Sequence, residues 1–157
     1  MAALDELKEL YAKYAEKAEQ VRKKASPIAG LLGFGADPRH HSCHDDFYEA
    51  VERWVADFMD SAPETDEIVA VTRWILEEPN NHQGKECYWY MYAAHGLTSP
   101  LIPKLPQDVC SQLRTWYGST YSVRERMPVQ QQVYKLLQKH SGQKCARDSI
   151  FQKIFRM

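Results

Sequence analysis

The chain lacks most of the features that declare a function. No apolar run approaches the roughly 18 residues of a membrane helix, and the opening residues read as a charged amphipathic start rather than a leader with an apolar centre. These two absences predict a soluble, cytoplasmic protein without a membrane span. Glycine is scarce, at 7 of 157 residues. Gly30, Gly33 and Gly35 form a G-x-x-G-x-G spacing, but no strand pattern precedes them and their order is that of neither nucleotide-binding fingerprint. Cys43, Cys87, Cys110 and Cys145 are widely spread, with no C-x-x-C pair, and so match no familiar zinc module. A domain of this length needs no disulfide framework, so free buried thiols are the expectation. Period-two alternation, internal repeats and low-complexity tracts are also missing.

What is present is helical periodicity. Leu4, Leu7, Tyr11, Tyr14, Ala18, Val21 and Ala25 recur at alternating spacings of three and four, an a/d seam that predicts one long N-terminal helix. Two tyrosines and two alanines make it a weak zipper, open either to packing within the chain or to a partner helix or homodimer. Leu4, Leu7, Tyr11, Tyr14 and Val21 are therefore the candidate interaction residues. Phe47, Val51, Trp54, Val55 and Phe58 fall at i, i+4, i+7, i+8 and i+11, the clearest buried stripe in the chain. Ser42 precedes it as the expected N-cap, with Asp45, Asp46 and Glu49 suited to the positive end of the helix dipole.

Further helices are expected over residues 63–78, with Ile68, Val71, Trp74 and Ile75 inward, and over 85–95, rich in Tyr88, Trp89, Tyr90 and Tyr92 and closed by Gly96. The second of these is apolar nearly all round, which places it at the centre of the fold. Pro100, Pro103 and Pro106 predict an extended crossing. Helices follow with Val109, Leu113, Trp116 and Tyr117 inward, then from Pro128 with Val129, Val133, Leu136, Leu137 and His140 on one side. Ile150, Phe151, Ile154 and Phe155 pattern a last short helix. The fold class is thus all-α: a single domain, 1–157, of six to seven helices. Its long first helix over 1–26 is available for assembly, and the core helices span 37–157, centred on the Phe47, Ile68 and aromatic helices.

Charge is balanced overall at −1 but unevenly spread. Residues 37–87 hold 13 acidic and 4 basic side chains, and residues 88–157 hold 3 acidic and 10 basic. The segments can face one another, assemble head to tail, or meet an acidic partner. Nucleic-acid binding is not expected: Arg114, Trp116, Tyr117, Tyr121, Arg124 and Arg126 interleave cations with rings, but Trp116 and Tyr117 are already claimed by a core face and the sequence pI is near 6.6.

The residues with most chemistry are His40, His41, Cys43 and His44. Together with His82 and Cys87 they offer the donor types that zinc or iron accept, and His41, Cys43, His44, His82 and Cys87 are the candidate metal ligands. Their spacing matches no known module, and ordinary cap and loop hydrogen bonds are the competing explanation. Cysteine-histidine catalysis by Cys43 or Cys87 with His95 has no local signature. The expected function is a non-enzymatic protein-interaction or scaffold module with no cofactor. The alternative is a zinc- or iron-binding helical protein, or a metal-dependent enzyme, built on residues 40–44 with His82 and Cys87.

Overall fold

The apolar periodicities become helices throughout the computed structural model, which describes residues 2–24, 38–83, 85–121 and 127–142. Among these residues six α-helices and two 3-10 turns follow one another, and no strand occurs, so the fold is all-α. They are α1 (Ala2–Lys24), α2 (Pro38–Asp60), α3 (Thr65–Glu77), a 3-10 turn (Glu78–Asn81), α4 (Lys85–Thr98), a second 3-10 turn (Ile102–Lys104), α5 (Gln107–Thr120) and α6 (Pro128–His140). The glycine-bearing stretch before Pro38, Cys145 and the expected helix around Phe151 lie outside the described residues. The chain divides into two compact units, Met1–Pro63 and Glu64–Met157.

In the first unit α1 and α2 run antiparallel, since Tyr11 meets Phe47 while Glu6 accepts a hydrogen bond from Trp54 Nε1 at 3.5 Å. The seam of α1 is covered by α2: Leu7, Tyr11 and Ala18 are buried, while Leu4, Tyr14 and Val21 are half-buried. From α2 the stripe Phe47, Val51, Val55 and Phe58 is buried as its spacing requires. Phe47 is the hub. The Tyr11 ring stands edge-on to it at 4.9 Å and the Tyr14 ring at 6.0 Å, a geometry that sets positive ring edge against negative face. Trp54 stacks on Phe58 at 5.1 Å beside this seam.

One helix boundary corrects the sequence reading. Ser42 is not the cap of α2, because the helix already begins at Pro38 and runs through residues 40–44. Proline suits the first helical position, where its fixed φ is pre-set and its missing N–H would be unsatisfied anyway. His40 and His44 are therefore consecutive-turn positions of one unbroken helix. The end of α2 is made by Ala62, whose φ of +53° is left-handed, with Ser61 and Ala62 N–H groups returning to the Asp57 and Met59 carbonyls.

In the second unit α3 packs on α4, and α6 packs on both α4 and α5. Of the three helices expected to share one centre, α3 and α4 lie together here, and α2 packs on α1 in the first unit. α3 buries Ile68, Val71, Ile75 and Leu76, with Thr72 satisfied by donating to the Ile68 carbonyl at 2.7 Å. α4 does not stop at Gly96. It continues to Thr98, where Pro100 makes the following residue a poor helix member. The proline-rich crossing is not extended either. Leu101, Lys104 and Leu105 N–H groups bond three residues back, folding the segment into tight turns that bury Leu101, Ile102 and Leu105. Gly118, inside α5, allows a close approach to α6: a Cβ there would lie 3.2 Å from the Tyr134 ring.

Candidate functional site

A cavity of about 490 Å³ opens in the second unit where α4, the first 3-10 turn, the end of α5 and the start of α6 come together. Each element contributes through its local register. On α4 the i, i+1 and i+4 positions Cys87, Tyr88 and Met91 share one face. His82 and Gln83 follow the 3-10 turn, Thr120 and Tyr121 stand at the end of α5, and Met127 and Gln130 come from the N-cap and first turn of α6.

Two hydrogen bonds tie the walls. His82 Nε2 lies 3.0 Å from Glu78 Oε1, both side chains being about four-fifths buried, and the His82 ring rests on Tyr90 at 4.3 Å. Since a carboxylate can only accept, the ring donates through Nε2. Across the cavity Tyr121 donates its hydroxyl to Asn80 Oδ1 at 3.0 Å, joining the end of α5 to the 3-10 turn. Tyr121 also packs on Tyr117 at 4.8 Å.

Burial acts on two ionisable groups of the cavity wall. Burial pushes the Cys87 thiol above its ordinary range, so it stays protonated near neutral pH and lacks the thiolate character of a nucleophile. Burial likewise raises the Tyr121 phenol, with the Asn80 hydrogen bond opposing and the nearby Cys87 sulfur adding to the rise. Gln130 is the polar residue buried most deeply here, 3% exposed. Its Oε1 accepts the Met127 N–H at 2.8 Å, closing the first turn of α6.

The candidate metal ligands separate into two groups. Cys43 and His44 are half-buried on α2 in the first unit, and the side chain of His41 lies outside the described residues. His82 and Cys87 share the cavity of the second unit. Among the described residues no three histidine, cysteine or carboxylate side chains gather where a metal ion could sit. Cys110, buried at the start of α5, points its thiol toward the Ile102 carbonyl at 3.7 Å and belongs to the core.

The cavity joins residues that sequence reading left in unrelated roles. Thr120 and Gln130 went unnoticed. The signal for Gln130 was available: with Pro128 opening α6, it occupies the N3 position, from which a glutamine reaches back to an N-terminal N–H. The aromatic helix differs too. Trp89, Tyr90, Ala93, Ala94 and Leu97 are buried, but Tyr88 and Tyr92 are 51% and 52% exposed, so α4 has an outer face and is not enclosed all round.

No known protein family, curated protein or solved structure matches this chain. No helix among the described residues is long and apolar enough to cross a membrane.

Proposed function

We propose that this chain is a non-enzymatic helical interaction module that recognises a protein partner through the Tyr88–Tyr92 face of α4. The observation that carries the reading is the exposure of these two rings, the large hydrophobic side chains left half in water among the described residues. They stand one turn apart on a helix whose opposite face is core, and Tyr88 borders a cavity flanked by Met91 and Met127. Tyrosine and methionine are enriched at interface cores, where tyrosine supplies area at low entropic cost and methionine adapts to the incoming shape. The partner that fits places an apolar anchor at the cavity mouth. It carries a net negative charge, complementing the 10 basic against 3 acidic residues that the sequence holds over 88–157. A second copy of the chain, through its acidic 37–87 segment, is the self-association form of the same reading.

The test is a photo-crosslinking amino acid placed at Tyr92, with the same group at Gln132 on the exposed side of α6 as control. A discrete adduct from position 92 and none from 132 is the expected result, its mass separating a foreign partner from a second copy. No adduct at 92, or the same adducts from both positions, would overturn the reading.

A further inference from the structure

Three of the side chains around the cavity carry sulfur: Cys87, Met91 and Met127. Cys87 and Met91 stand one turn apart on α4, at the i, i+4 spacing that makes helix side chains neighbours. Met127 joins them from the N-cap of α6, which packs on α4. Its thioether accepts the Gln130 N–H, which fixes the sulfur over the first turn of that helix. All three residues are half-buried, and no other methionine is described in the second unit. The other cysteine described there, Cys110, is fully buried in the core. Histidine, cysteine and carboxylate side chains alone assemble no metal centre among the described residues, but two thioethers add a different kind of donor. No aspartate or glutamate is among the described lining residues, so hard cations such as calcium or magnesium meet no carboxylate on this wall. Sulfur donors of the thiolate and thioether type instead select copper(I). Methionine side chains are unbranched and adaptable, which lets them close on an ion, and a coordinating thiol gives up its proton.

We propose that Cys87, Met91 and Met127 form a copper(I) site, a trigonal set of one thiolate and two thioethers. On binding, a copper–sulfur bond forms at Cys87 and the thiol proton leaves to water, while the two thioethers donate sulfur lone pairs. The metal keeps its oxidation state and no electron is exchanged. The thiolate cancels the charge of the ion, so the centre is neutral beside the positive N-terminal end of α6. The site does not depend on a protein docking at Tyr88 and Tyr92.

The experiment titrates the full chain, labelled with 13C at the methionine methyls, with copper(I) in the absence of oxygen and with bicinchoninate as competing chelator. Zinc(II) is run in parallel. The first equivalent of copper(I) should leave the chelator and shift the Met91 and Met127 methyl signals, while Met59 in the first unit stays in place. Zinc(II), which prefers nitrogen, oxygen and thiolate donors, should not move them. Met91→Leu and Met127→Leu nearly conserve side-chain volume and remove one donor each. Each should weaken copper(I) by about tenfold or more, a cost that even the outer partners of metal ligands carry. Cys87→Ser should abolish the shifts. No uptake from the chelator, uptake without movement of the Met91 and Met127 methyls, equal shifts with zinc(II), or leucine variants that bind as tightly as the unaltered chain would overturn the proposal. The methyl signals of the unaltered chain decide even if a variant does not fold. A failed crosslink at Tyr92 leaves this site standing, and a failed titration leaves the docking face standing.

Discussion

The two units bury their apolar surface in different ways, yet their last described helices end alike. Among the described residues the first unit rests on one seam between two antiparallel helices, with Phe47 at its centre. The described part of the second distributes its core over four helices and leaves a cavity among them. At the end of α2 the chain turns through Ala62 at φ +53°, and at the end of α6 through Gly142 at φ +75°. A left-handed residue after a helix is ordinarily glycine, which has no Cβ to clash with the following carbonyl. Alanine at that place carries strain that glycine does not. The comparison teaches that the same local solution is held by different means: by the backbone hydrogen bonds of Ser61 and Ala62 in one unit, by residue choice in the other.

The largest way to break the contrast is Phe47→Ala. A seam with a single aromatic hub has no second layer of rings to close the gap, so the loss should be about 3–5 kcal/mol, read by denaturant unfolding. Amides of α1 and α2 should lose exchange protection together. A loss under about 1 kcal/mol would mean the seam does not depend on this ring.

Next is Gly142→Ala, which transfers the strained residue to the second unit. It should destabilise by about 1–2 kcal/mol from the left-handed backbone alone, and somewhat more because the new Cβ would collide with the Gln107 side chain. That side chain now donates to the Ser141 carbonyl at 3.2 Å. The thermal midpoint should fall accordingly, and an unchanged midpoint would show that the turn is not required.

The smallest effect sharpens the comparison from the other side. Ala62→Gly relieves the strain at an exposed position but gives the unfolded chain more freedom, so the net gain should be about 0.5–1 kcal/mol. A measured loss would mean that the entropy of the unfolded chain outweighs the strain.

Much of the fold was legible because helical burial imposes a period. Phe47, Val51, Val55 and Phe58 are buried as their spacing requires, and Ile68, Val71 and Ile75 likewise. Pro128 opens α6 as its fixed φ allows. Boundaries were harder, because competing signals stand close together. Ser42 is a good cap residue, yet Pro38 starts the helix upstream of it. Gly96 is a good stop, yet the helix runs on until Pro100 intervenes. The candidate site was legible only in pieces. His82 and Cys87 stood out by residue type, whereas Thr120 and Gln130 carry no mark in a linear pattern.

The sequence by itself determined which residues form helices and which side of each helix is apolar, since both follow from interactions within a few residues. Only the tertiary structure decided that Tyr88 and Tyr92 stay in water while Trp89 and Tyr90 do not. It alone brought the end of α5 and the start of α6 to the side of α4, enclosing a cavity lined by Tyr121, Met127 and Gln130. The physical reason is that periodicity records how much surface a helix must bury, whereas the partner that buries it, and the gap left between partners, depend on shapes contributed by residues far apart in the chain.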